Sequence, residues 1–330
     1  MPSISNNLLE LKNVTKIYYT GRFRKRSVVA VRDVSFSIPE ENPIVTALVG
    51  ESGSGKSTIA RLILGLLEPT CGTIFYRGKE VREWLKKEPS IYRREVQAIF
   101  QDPYSIYNPF YKIDRVFKIA IKKFKLASSN EQAQELIEES MRAIGLRPQD
   151  ILGRYPHQLS GGERQRLMLA RIFLIKPKLL IADEPVSMID VSLRSIFLEN
   201  LLKLKDDLKM SCLYITHDLN IANFVSSNII VLCLGKIVEM GKTRSVIEKP
   251  KHPYTKILVR AIPNPNPKER WKDKMPPEVV LSKSLRREQG CVFLDRCPEA
   301  IPACKESDPP LLEIEPGHRV ACHLYATSGK

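Results

Sequence analysis

An α/β fold with a mixed, mainly parallel sheet is the expectation for this chain, and three observations carry it. A glycine-rich run, Gly50 to Thr58, lies between an apolar strand pattern and a helical one. Apolar runs at Leu179 to Ala182, Cys212 to Thr216 and Ile229 to Leu234 alternate with helical segments, as strands of a parallel sheet do. The first of these runs ends in two carboxylates, Asp183 and Glu184, which a strand would deliver to one edge of the sheet.

In chain order, Leu9 to Val14 and Ser35 to Ile38 read as short strands joined by a basic segment around Arg24. Ile44 to Val49 is an unbroken apolar run and so a buried strand; Thr58 to Leu67 has apolar residues at helical spacing. After the turn Glu68 to Gly72, strands are expected at Thr73 to Tyr76 and Val96 to Phe100. Asp114 to about Ile144 is charged and helical in period, broken at Ser128 to Asn130, and forms a helical subdomain. Arg164 to Leu174 is a further helix, and prolines crowd the chain after Lys249 on the approach to a cysteine-bearing tail.

The chain has 330 residues, enough to bury a large core with a smaller appendage, and a net charge of +15. Such a charge favours an anionic neighbour: nucleotide, nucleic acid or the acidic face of a membrane. The basic runs Arg22 to Arg26, Lys118 to Lys125 and Lys268 to Lys274 are spread through globular sequence and read first as solvated surface. No apolar run reaches the ~18 to 20 residues of a membrane span. Met1 to Leu9 lacks a secretion signal, so a soluble, intracellular chain is expected.

The glycine run, Gly50-Glu51-Ser52-Gly53-Ser54-Gly55-Lys56-Ser57-Thr58, has the pattern GxxxxGK followed by Ser, in its required strand-to-helix context. Glycines let several N–H groups converge on phosphate oxygens, and the following helix adds its positive end. Lys56 is expected to reach the β- and γ-phosphates and Ser57 to ligate Mg²⁺. Asp183 is suited to hold Mg²⁺, and Glu184 to polarise the attacking water. Taken alone, each of these is an ordinary turn; their pairing makes a nucleotide site.

A third element, Leu159-Ser160-Gly161-Gly162-Glu163, opens the helix at Arg164. With the other two it closely resembles the signature of ATP-binding cassette (ABC) ATPases, a P-loop NTPase fold. The resemblance implies that Ser160, Gly161 and Gly162 close over ATP held by a second cassette. Glu163 stands where that family most often has Gln. In the family's order, Tyr18 matches the aromatic that stacks on adenine, with Tyr19 as the alternative. Gln101 matches the glutamine that senses Mg²⁺ and the transport partner, His217 the histidine on the γ-phosphate, and Asp190 the loop that crosses the dimer interface.

Gln101 to Ser105 with Asn108-Pro109, Glu184 to Ser187 with Asp190 to Ser192, His252-Pro253-Tyr254-Thr255 and Pro316 to Cys322 are similar to the oligopeptide and dipeptide importers, to their second cassette subunit. That similarity implies a cassette at residues 1–250, with a helical subdomain at about 101–165, and a C-terminal extension at 251–330. It also implies a heterodimer with a second cassette, two transmembrane permease subunits, an extracytoplasmic substrate-binding protein, and a seat on the cytoplasmic face of the membrane. Asp102 to Tyr111 is the expected docking surface for the permeases. An oligosaccharide or metal-complex importer would look the same, since the cassette does not touch the cargo. A nucleic-acid or ribosome-associated cassette is disfavoured, because those usually carry two cassettes or a long coiled-coil insertion, and neither is present.

Cys71, Cys212 and Cys233 are scattered and read as incidental or buried thiols, whereas Cys291, Cys297, Cys304 and Cys322 crowd the tail. Their spacing, C-x5-C-x6-C-x17-C, fits zinc poorly, since zinc sites usually begin with ligands about two to four residues apart. Disulfides are unusual in a cytosolic chain. The tail of some importers of this group looks like a 4Fe–4S site, and the resemblance implies a structural cluster here. Four unliganded thiols are the alternative.

Overall fold

In chain order the strands are β1 (Asn7–Thr20), β2 (Arg26–Pro39), β3 (Val45–Val49), β4 (Cys71–Tyr76), β5 (Lys79–Glu80), β6 (Val96–Ile99), β7 (Leu179–Asp183), β8 (Ser211–Thr216), β9 (Asn228–Cys233), β10 (Lys236–Lys242), β11 (Leu312–Glu315) and β12 (His318–Val320). This computed structural model describes residues 6–20, 26–102, 107–188, 190–261 and 289–326. Arg22 to Lys25, Lys268 to Lys274, Ile189, and Pro103 to Ile106 of the expected docking segment lie outside the described residues.

Among the described residues the strands make a four-stranded antiparallel sheet, β2-β1-β4-β5, and an eight-stranded sheet, β11-β12-β10-β9-β3-β8-β7-β6. In the larger sheet β9, β3, β8, β7 and β6 run parallel. β3 and β8 are buried along their whole length, which is why they read as unbroken apolar runs rather than alternating ones.

β1 and β2 are longer than expected, at 14 residues each. The expected strands Leu9 to Val14 and Ser35 to Ile38 are extended through the polar residues around Arg32-Asp33, which the hairpin absorbs in register shifts around Val14. Asn13 and Asp33 take left-handed backbone, φ 49° and 52°, which their short polar side chains tolerate, and the Asn13 amide donates to Asp33 at 2.8 Å.

Helix α1 (Lys56–Ile63) stops earlier than the periodicity indicates, because Gly65 turns left-handed just after it. Next come α2 (Val81–Lys87), α3 (Pro89–Glu95), α4 (Asp114–Phe124), α5 (Asn130–Arg142), α6 (Pro148–Ile151) and α7 (Gly161–Ile175). The Ser128 to Asn130 break is the start of α5, where the Ser129 hydroxyl accepts from the Gln132 N–H at 3.1 Å. The helices α4, α5 and α7 bury Phe117, Ile137, Met141 and Leu167 in one cluster with Leu180 and Tyr214 of the sheet, so the helical subdomain is rooted in the core.

The chain continues through α8 (Val191–Leu208), α9 (Leu219–Val225), α10 (Thr243–Glu248), α11 (Pro253–Arg260), α12 (Ala303–Glu306) and α13 (His323–Ala326). The cysteine-bearing tail is built into the sheet: β12 pairs with β10 through Glu239↔Val320 and Met240↔Arg319. Here Glu239 is 0 % exposed, yet its carboxylate accepts from the N–H groups of Lys251 and His252, both at 2.9 Å, and meets His318 Nε2 at 2.8 Å. A buried carboxylate survives because its oxygens are answered. Phe293 and Cys291 of the tail join Tyr254, Val231 and Ala222 in a second cluster on the face of the sheet that carries α9.

Candidate nucleotide site

The parallel register brings four strand ends to one edge. Val49 lies beside Thr216, Ile215 beside Asp183, and Ala182 beside Ile99. Gly50, His217, Glu184 and Gln101 therefore all emerge at the carboxyl edge of β3, β8, β7 and β6, where ligands of such sheets bind.

Gly50 has φ 153°, and a Cβ there would sit 2.1 Å from the Leu232 carbonyl oxygen, so the loop passes too close to β9 for any side chain. The Gly235 N–H donates to the Ser54 carbonyl at 2.8 Å, pinning the loop to the turn between β9 and β10. Buried Lys56 donates from Nζ to the carbonyls of Gly50 at 2.7 Å and Glu51 at 2.9 Å, inside the curl of the loop. Burial lowers its pKa, while Glu184, Asp183 and Glu51 pull it back up. The ammonium is thus framed by three carboxylates.

Ser57 meets Asp183 through its hydroxyl. Burial raises the Asp183 pKa, Glu184 adds to the rise, and the Ser57 bond with the charges of Lys56 and Arg61 opposes it. A hydroxyl and a carboxylate side by side are hard oxygen donors of the kind Mg²⁺ takes. Neighbouring Glu184 has φ 46°, an uncommon conformation for a non-glycine residue. It is held there by its N–H on the Ile215 carbonyl at 2.9 Å, and by the Ser187 N–H and hydroxyl on its own carbonyl at 3.2 and 3.0 Å. His217 Nδ1 lies 3.0 Å from Glu184 Oε1, with the imidazole 60 % exposed.

Ser160 and Glu163 close a reciprocal cap at the start of α7: the Glu163 N–H donates to Ser160 Oγ at 3.2 Å, and the Ser160 N–H and hydroxyl donate to Glu163 Oε2, both at 2.8 Å. Partial burial alone would raise the Glu163 pKa, but those bonds and the charges of Arg166 and Arg154 hold it below the usual range. Gly161 and Gly162 form the first turn. Asp190 is the residue before α8, its carbonyl accepting from the Leu193 N–H at 2.9 Å. On β1, Lys16 Nζ lies 5.6 Å from the Tyr18 ring centroid, and Tyr19 is the more exposed of the two rings.

Two contacts to the loop were not visible in its motif. The Glu51 N–H donates to the Tyr254 hydroxyl at 3.0 Å, and Arg296 Nη1 donates to both Glu51 carboxylate oxygens, at 2.9 and 3.0 Å. The only sequence signal was Tyr254 within His252-Pro253-Tyr254-Thr255; nothing singled out Arg296.

The tail brings Cys291, Cys297, Cys304 and Cys322 within electrostatic reach of one another, and the Cys291 N–H donates to the Cys304 carbonyl at 2.9 Å. Burial pushes the Cys291 thiol up to about 11. Among the described residues, no group of three or more His, Cys, Asp or Glu side chains is gathered as a metal-ion site. The expected four-cysteine site is therefore not drawn up around a single ion.

Residues 31–187 match the family model described as ABC transporter, and residues 238–304 the one described as oligopeptide/dipeptide transporter, C-terminal region. The chain is similar to the putative oligopeptide transport ATP-binding protein YkfD of Bacillus subtilis (strain 168), with 39 % identity covering 96 % of this chain and 95 % of that protein. It is also similar to the oligopeptide transport ATP-binding protein OppF of Haemophilus influenzae, with 36 % identity covering 95 % and 93 %. Among solved structures, the dimeric ATP-binding cassette MJ0796 in a post-hydrolysis state with ADP and Pi superposes with a TM-score of 0.62 at 29 % identity, covering 72 % of this chain and 99 % of that one. With the phosphate loop, the paired carboxylates and the capped α7 on one cassette fold, this chain belongs to the ATP-binding cassette transporter family, in its oligopeptide and dipeptide branch.

Proposed function

We propose that this chain is the ATP-hydrolysing subunit that powers import of oligopeptides or dipeptides across the membrane. The observation that carries the catalytic half of this reading is the convergence of Lys56, the Ser57–Asp183 pair, and Glu184 with His217 on one sheet edge. The peptide half is supported by the named relatives and by the match at residues 238–304.

The loop from Gly50 to Thr58 wraps the phosphates with N–H groups, and Lys56 exchanges its carbonyl partners for phosphate oxygens. Ser57 and Asp183, with Gln101 at the same edge, would hold Mg²⁺, which supplies charge neutralisation at the β- and γ-phosphates. Glu184 orients the attacking water and takes its proton; with its own proton on Nδ1, His217 donates to that carboxylate and fixes its direction. Tyr18 or Tyr19 stacks on adenine. Ser160, Gly161, Gly162 and Glu163, with Asp190, serve the nucleotide of a second cassette, their capped helix end being an anion site. ATP closes the cassette pair, hydrolysis reopens it, and permease subunits convert that movement into access for cargo delivered by a binding protein outside.

The cassette, residues 1–250, sits in this reading on the cytoplasmic face, and no helix among the described residues is long and apolar enough to cross a membrane. The permease subunits dock in this reading on Asp102 to Tyr111, and an apolar groove of about 410 Å³ lined by Leu66, Phe100, Val116, Ile119 and Phe124 lies between the sheet edge and α4. Phe110, 84 % exposed, stands in the expected docking segment. The extension, residues 251–330, would hold a structural 4Fe–4S cluster on Cys291, Cys297, Cys304 and Cys322, a reading supported by the electrostatic coupling of the four thiols. The test of the catalytic assignment is Glu184→Gln in the assembled transporter: ATP still binds, and turnover falls by roughly 10²- to 10⁴-fold. Undiminished hydrolysis would overturn it.

A further inference from the structure

Glu51 is the loop residue whose side chain is taken up by the other end of the chain. Its carbonyl accepts from Lys56 Nζ at 2.9 Å and from the Ser54 N–H at 3.1 Å, which shapes the curl that receives phosphate. Its N–H is fixed by Tyr254, and its carboxylate by Arg296. Arg296 is itself confined: the side chain is 10 % exposed, its guanidinium lies 5.2 Å from the Phe293 ring centroid and 5.9 Å from that of Tyr254, and the Cys233 thiol bonds to it. Tyr254 and Phe293 are packed edge to face at 5.3 Å. The grip on Glu51 is therefore as rigid as the lobe that carries the four cysteines.

Charge gives this grip a purpose. A carboxylate one residue from Gly50, close enough to act on Lys56, repels any polyphosphate that enters the loop. An arginine that donates to both of its oxygens cancels that charge and draws the side chain away from the nucleotide. We propose that Arg296 is a positioning residue for nucleotide: by clamping Glu51 it holds the phosphate loop open and neutral for ATP, so that the cysteine-bearing lobe is the outer wall of the nucleotide site. This rests on the reading that Gly50 to Thr58 holds the phosphates.

The test is titration of the full-length chain with a fluorescent ATP analogue and Mg²⁺. Arg296→Gln raises the Kd about threefold to tenfold, the range of couplings carried by such supporting residues. Arg296→Lys recovers part of the loss. In a Glu51→Gln background, where no charge needs an answer, the Arg296→Gln effect shrinks, a non-additivity that a lobe merely held together by Arg296 would not produce. An unchanged Kd in Arg296→Gln, or an equal effect with and without the Glu51 carboxylate, overturns the proposal. Should Arg296→Gln not fold, Arg296→Lys carries the same test, and its loss must disappear with Glu51→Gln. Lys56→Ala separates the two levels: if it leaves the Kd untouched, the loop is not the nucleotide site; if it abolishes binding while the Arg296 variants match the wild type, only the clamp is refuted.

Discussion

Two glycines of the phosphate loop show how differently one residue type is constrained. At Gly50 a Cβ would collide with the Leu232 carbonyl at 2.1 Å, whereas at Gly53, with φ 78°, it would meet open space. Gly53→Ala therefore costs only the left-handed backbone penalty of about 1 to 2 kcal/mol. Gly50→Ala adds a main-chain clash to strain of about 1 to 3 kcal/mol and displaces the loop. Thermal unfolding should order the two variants with Gly50→Ala the less stable; the reverse order would mean the loop is not packed on β9 as described. The need for glycine here was legible from the motif, but the reason, an approach to a strand 182 positions away in number, from 50 to 232, was not. Glu184 is similar. Its place after an apolar strand was plain in the sequence, while its left-handed backbone arises from contacts to Ile215 and Ser187 that no local pattern displays.

Among the elements, those whose signal is local were read closely: β7, β8 and β9 as apolar runs, and α4 and α5 on either side of the Ser128 to Asn130 break. Long-range pairing hid the rest. β10 and β12 come from distant stretches, and the two are joined around Glu239, His318 and the turn at His252. That junction has a pH signature. Burial, aided by the charge of Lys256, lowers the His252 pKa from 6.5 to about 3, and its neutral Nδ1 accepts from the Tyr254 N–H at 3.0 Å. Below pH 6.5 the unfolded chain binds a proton there that the folded chain refuses. The stability His252 permits is thus complete above pH 6.5 and is lost as pH falls from 6.5 toward 3, at up to about 1.4 kcal/mol per pH unit. Urea unfolding at pH 7 and pH 5 should show this loss in the wild type and a shallower one in His252→Asn, whose amide oxygen can take the same N–H. Equal slopes would place the acid sensitivity elsewhere.

At the scale of the whole molecule, the chain is a cassette whose sheet is extended by its own tail, and the tail reaches back to the nucleotide loop. Iron and acid-labile sulfide, measured on anaerobically purified protein, are expected at about four of each per chain, as a 4Fe–4S cluster requires; absence of both would leave four free thiols in the lobe. Separation along the chain also has a consequence in time. Glu51 and Arg296 stand 245 residues apart, so a ribosome translating at about 5 to 20 residues per second releases the loop on the order of 10 to 50 s before the arginine that clamps it. A nascent or prematurely terminated chain carries the whole phosphate-loop motif yet lacks its outer wall. If Arg296 clamps the loop as proposed, the site takes its final form only once synthesis has passed the cysteine-bearing lobe.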